Sequence, residues 1–160
     1  MTDPLAIYLH DHLGAANFAI ELLAQWSEDP PVAGIADWVQ PLRDEIDADR
    51  ETLRQVITRV GESPHTFKEK LGWLGEKLSR PKLSRKDSAE LALFEGLEIL
   101  ALGILGKVSL WETLRLLAPT EPRVASFDYL TLIARARLQH ATVESHRRQL
   151  IPAALAKPSF

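Results

Sequence analysis

The stretch from Asp87 to Ala118 constrains the fold more than any other part of the chain. It opens with D-S-A-E, a capping box in which Asp87 can accept from the first-turn backbone while Glu90 reaches back. It closes before Pro119. In between, Leu93, Leu97, Leu100, Ile104 and Trp111 lie on one side of a helix, and Leu91, Phe94, Leu102, Leu105 and Leu116 lie on another. A helix that is apolar on two sides is either central in its fold or shared with a partner subunit. It therefore needs other amphipathic helices to cover it.

Three further segments have that character. Asp3-Pro4 is an N-cap followed by a first-turn proline. The helix it opens carries Leu5, Leu9, His12, Ala16, Ala19, Leu23 and Trp26 as a stripe and stops before Pro30-Pro31. A second helix starts between Asp37 and Pro41 and ends at Gly61, with Leu42, Ile46, Asp49, Leu53, Val56 or Ile57, and Val60 facing inward. A fourth starts between Pro122 and Ser126 and runs to about Leu150, with Tyr129, Leu132, Ile133, Ala136, His140, Val143, Arg147 and Leu150 on its stripe. No segment shows the period-2 alternation of a strand. The expected fold is all-α: one four-helix-bundle domain over residues 1–160, with helices at about 4–28, 37–61, 88–118 and 124–150. A short amphipathic helix is expected at about 65–79, with Phe67, Leu71, Leu74 and Leu78 on one face.

Composition narrows the function classes. The chain has no cysteine, which excludes disulfides and thiolate chemistry and suits the cytosol. MTDPLAIYLHDHL lacks the charged-then-apolar order of a signal peptide, so a cytoplasmic location is expected. The uncharged run Ile99–Gly106 is too short to span a bilayer. A net charge of −3 and the lack of a reader motif argue against a nucleic-acid partner. There is no P-loop, no G-x-G-x-x-G and no G-x-S-x-G elbow. No catalytic residue is assigned.

Ionisable residues on the core stripes are the remaining candidates for function. His10 and His12 are two apart, which places them about 200° apart around a helix, so they cannot share a metal. His12 belongs to the apolar stripe; Asp49, Glu98 (with Glu95 a turn earlier) and His140 (with Glu144 a turn later) are its counterparts on the other helices. If the helices alternate up-down-up-down, which is the favoured topology, these four fall in a layer roughly 6 Å thick. Such a layer can be a structural clasp in which Arg50 and Arg147 neutralise Asp49, Glu98 and Glu144. Alternatively it can bind one or two divalent metals, iron, manganese or zinc. The two arginines favour the clasp, so no cofactor is expected. A ferritin-type crossover between helices two and three would instead reverse helix three and carry Glu98 roughly 15 Å away from His12.

The stretches YLHDHLGAA, DEIDADRETL and LEILALGILGKVSLWETL resemble an uncharacterised family of bacterial helical-bundle proteins over most of the chain. That resemblance implies the bundle and no particular activity. More loosely, the chain is similar to ferritin-like bundles, which would imply metal ligands in the core. Their di-iron pattern needs Glu-x-x-His on two bundle helices, whereas the only such spacing here is Glu62-to-His65, in a proline-containing connection.

Two surface signals complete the reading. Lys68, Lys70, Trp73 and Lys77 lie in a basic, amphipathic stretch that could meet an acidic partner or a membrane surface, although lysines solvated above a packed apolar face explain it better. Ala92, Gly96, Gly103 and Lys107 line one side of helix three, which together with its second apolar side predicts a homodimer. The expected role is non-enzymatic: assembly, or binding of a protein partner whose identity the residues do not specify. Metal binding is the alternative, and membrane contact a weaker one.

Overall fold

A computed structural model describes residues 2–62 and 89–157 of the chain. Four helices account for nearly all of them: α1 (Pro4–Glu28), α2 (Ala36–Val60), α3 (Ala89–Leu117) and α4 (Tyr129–Leu155), with a single 3₁₀ turn at Pro122–Val124. Among the described residues there is no strand, and no helix is long and apolar enough to cross a membrane. The fold is an all-α four-helix bundle. The predicted short helix at 65–79, with Lys68, Lys70, Trp73 and Lys77, lies outside the described residues.

Local chemistry sets the helix ends. Asp3 caps α1 by accepting from the Leu5 amide at 2.9 Å, and Pro4 follows with no N–H to satisfy. At the end of α2, Gly61 adopts a φ of 118°, which side chains disfavour, and its N–H closes on the Ile57 carbonyl. Helix α2 begins slightly earlier than its pattern suggests and takes Pro41 inside, near enough to the start that only one backbone bond is forfeited. Helix α4 starts later than expected, at Tyr129, because the 3₁₀ turn uses up the preceding residues and Asp128 supplies the cap to Thr131. It also continues through Pro152, which lies in its last turns.

The contacts at the two ends of the bundle settle the topology. At one end, here called the lower, Arg123 in the α3–α4 turn donates to Asp3 at 2.6 Å and reaches the Val60 carbonyl at 3.4 Å. Arg59 donates to the Ala125 carbonyl at 2.9 Å. The start of α1, the end of α2 and the α3–α4 turn therefore meet there. At the upper end, Trp26 from late α1 packs on Gly96 from early α3, and Trp38 from early α2 stacks on His146 from late α4 at 3.9 Å. Helices α1 and α4 run up; α2 and α3 both run down. The favoured up-down-up-down order is thus corrected to up-down-down-up, the ferritin-type path. The chain leaves α2 at the lower end and enters α3 at the upper end.

Around the bundle, α1 neighbours α2 and α3, and α4 neighbours the same two. Its core has two apolar compartments. The upper one contains Leu23, Trp26, Val39, Ile46, Leu97 and Leu100; the lower one contains Leu9, Leu53, Val56, Trp111, Leu114 and Ala136. Part of the second apolar side of α3 is not covered by the described residues: Leu102 and Leu116 are 71% and 72% exposed, whereas Phe94 is buried.

Candidate functional site: a cleft above a buried ionic layer

Asp49 separates the two core compartments. The 3-4 spacing of the α2 stripe makes it inward-facing, and it is 1% exposed. A carboxylate buried this deeply must be compensated. From α4, Arg135 grips Oδ1 through Nε at 2.8 Å and also through Nη2. From α3, the Lys107 ammonium donates to Oδ2 at 2.6 Å. Gln139 of α4 donates to the same oxygen at 3.2 Å and to Glu45 at 3.1 Å, and its own carbonyl oxygen accepts from Lys107. Three helices are tied at one height. Burial pushes the Lys107 ammonium below its ordinary pKa, against the pull of Asp49.

The clasp exists, but with different members from those expected. Reversing α3 explains the change: Lys107, nine residues beyond Glu98, takes its place at the height of Asp49. Glu98 moves about 14 Å up the bundle, where it is exposed at 3.6 Å from Arg147. Arg147 also binds Glu144, at 2.7 Å and 3.0 Å, and holds that carboxylate below its usual range. These two expected pairings of Arg147 therefore form, but outside the Asp49 layer. Arg50 does not neutralise Asp49; it donates to Asn17 at 2.9 Å and to Asp47. Glu95 is exposed. His140 is half-buried beside Glu144, and the inward position on that turn belongs to Gln139. His10 bonds the Ala6 carbonyl and Glu62, each at 2.8 Å, away from His12. Among the described residues, no three His, Asp or Glu side chains gather as a metal would require.

Lys107, Arg135 and Gln139 were the members that sequence reasoning missed. A signal for Gln139 was present: 129, 132, 136, 139 and 143 continue the 3-4 rhythm without a break, whereas 140 interrupts it.

His12 sits elsewhere, on the wall of a cleft. Between α1 and α3 the bundle opens into a cavity of about 400 Å³. On the α1 side are His12, Ala15, Ala16, Phe18 and Ala19; on the α3 side are Ile99, Gly103, Ile104, Lys107 and Trp111. The small residues of α1 explain the opening, because alanines facing a glycine leave the space that larger side chains would fill. From Trp111 to Glu98 the cleft runs about 20 Å along the axis. Apart from Glu98 at the upper end, its charged and titratable groups, His12, Asp49, Arg50 and Lys107, cluster toward the lower end. Burial pushes the His12 pKa down, with only a weak opposing pull from Asp11, and its ring meets Tyr8 edge-on at 4.7 Å. Two buried side-chain atoms among the described residues lack a hydrogen-bond partner, Arg50 Nε and Trp111 Nε1; both are donors and both belong to cleft-lining residues.

No known protein family, no curated protein and no solved structure matches this chain.

Proposed function

We propose that the protein is a non-enzymatic binding protein and that the α1–α3 cleft receives a small, largely apolar ligand. The observation that carries this reading is the cavity itself. At about 400 Å³ it falls in the size range of small-molecule sites, and like them it combines apolar walls with a few converging polar groups. The charged groups beneath it are occupied with one another: Asp49 already holds two cations. That arrangement favours holding a ligand over transferring protons to it.

The test is uptake of the neutral, polarity-sensitive dye Nile red, compared between the natural chain and Ala16→Trp and Gly103→Trp. Apart from the backbone of α3 and the two chain neighbours, no described atom comes within 4 Å of a Cβ built at Gly103, so a larger side chain there meets no neighbouring helix at its first carbon. Saturable uptake that both fillings abolish supports the cleft as a site. Uptake that is absent, or indifferent to filling, overturns it. The same preparation addresses the metal-binding alternative: stoichiometric iron, manganese or zinc, lost in a His12→Ala/His140→Ala variant, would replace this reading with that one.

A second reading is self-association. The exposed Leu102, Leu116, Leu130 and Leu138 on α3 and α4 favour it. Light scattering should then show a dimer that Leu138→Lys or Leu102→Lys weakens.

A further inference from the structure

The cleft has a chemical polarity that specifies more than apolar character. At its lower end, one buried carboxylate, Asp49, faces two cations, Lys107 and Arg135. Glu45, the next acid, is exposed; it accepts from Gln139 and acts on Lys107 through space. Lys107 is largely buried and Arg135 is 34% exposed, and the two share the single buried carboxylate of Asp49. An ammonium has three N–H donors; Lys107 commits one to Asp49 and one to Gln139, which leaves one. The partnerless Arg50 Nε and Trp111 Nε1 add further donors on residues lining the same end. No buried side-chain acceptor among the described residues lacks a partner. These buried uncommitted donors ask for an acceptor, and two cations sharing one buried carboxylate favour an anionic one; neutral His12 on the same wall adds one ring N–H and one acceptor nitrogen. Above them, Ala15, Ala19, Ile46, Ile99 and Gly103 offer only apolar contact over about 12 Å. Glu98 at the upper mouth would repel an anionic headgroup there.

We infer that the lower end is a carboxylate subsite and that the cleft takes a medium-chain alkyl carboxylate, its headgroup on Lys107 and its chain running upward between α1 and α3. This rests on the cleft being a ligand site, and the experiment separates the two. Protein loaded with Nile red is titrated with decanoate, decanol and decylamine, each below its micellar concentration. Decanoate should displace the dye at about tenfold lower concentration than decanol, the worth of one charge-assisted hydrogen bond, and decylamine should be the weakest. Lys107→Met should erase the preference for decanoate over decanol while leaving decanol displacement in place. Because Lys107 also braces Asp49, that variant is checked for native helicity, and Arg50→Gln serves as a second probe that leaves the clasp intact. It should reduce the decanoate preference by about threefold, as loss of a partly exposed charge would. Equal displacement by decanoate and decanol overturns the carboxylate subsite and leaves the cleft standing. Failure of dye, decanoate and decanol alike to bind removes both. So does a dimer, seen by light scattering, in which a second copy fills the opening.

Discussion

The bundle joins its two hairpins, α1–α2 and α3–α4, along two seams, and the seams differ. Between α2 and α4 the joint is polar and closed by long side chains: Arg135 and Gln139 reach Asp49, and Trp38 lies flat on His146 at an interplanar angle of 6°; below it, Arg59 bonds the Ala125 carbonyl of the α3–α4 turn. Between α1 and α3 the joint is tight near its ends, at Trp26 on Gly96 and at Tyr8 beside Thr113, and open in the middle. One seam holds the hairpins in register while the other keeps a space between them. The difference teaches that closure follows side-chain size rather than helix spacing: α1 and α3 approach each other more closely than α2 and α4 do, yet their alanines and Gly103 leave a gap, while long side chains bridge the wider seam.

Breaking the closed seam should have the largest effect. Asp49→Ala leaves Lys107 and Arg135 buried without their anion and should cost about 3–5 kcal/mol of stability, read as a lowered urea midpoint by circular dichroism. Replacing the three charges together, Asp49→Leu with Lys107→Met and Arg135→Met, should restore most of that loss, because desolvation of the ions is removed along with their attraction. If the single variant unfolds at the natural midpoint, the hairpins are joined by something other than the ionic layer.

The open seam is probed by two glycines on one helix. A Cβ at Gly96 would lie 2.6 Å from Cζ2 of Trp26, a ring that is itself buried, so Gly96→Ala should cost about 1–3 kcal/mol as overpacking. At Gly103 no described atom outside the backbone of α3 and the two chain neighbours lies within 4 Å, so Gly103→Ala should gain up to about 1 kcal/mol of helix propensity. Equal effects at the two positions would mean that the seam is uniform along its length.

The closed seam was half legible in the residues and the open one barely so. Asp49 stood out because a carboxylate on an otherwise apolar stripe has to be compensated. Its partners did not, because partner identity depends on helix direction and periodicity says nothing about direction. With α3 reversed, the height assigned to Glu98 falls to Lys107, which had read as one more position on a stripe of small residues. His140 drew attention as a titratable group, although the unbroken spacing pointed to Gln139. The cleft could not be read at all: alanines and glycines facing each other are equally consistent with close approach and with a gap. Trp26 on Gly96 is the first outcome and Gly103 the second, on the same helix face, and the surrounding side chains decide between them.

Each seam also holds a histidine that burial keeps neutral, His146 against Trp38 and His12 on the cleft wall. Their folded-state pKa values lie below the ordinary imidazole value of about 6.5, so the unfolded chain takes up their protons first. The stability they contribute is present above that value. It declines as pH falls below it, until the folded forms titrate as well. Glu121, held near a pKa of about 2, and Glu144, also held low, remain ionised over the start of this window and do not blur it. Urea midpoints measured between neutral and mildly acid pH should fall in the natural chain. His12→Phe should flatten that slope more than His146→Phe, because burial is the cause of both shifts and His12 is the more deeply buried of the two. The ordering is the informative part. A larger effect at His146 would place the more water-excluded environment in the α2–α4 seam, and the cleft wall at His12 would then be too wet to serve an apolar ligand.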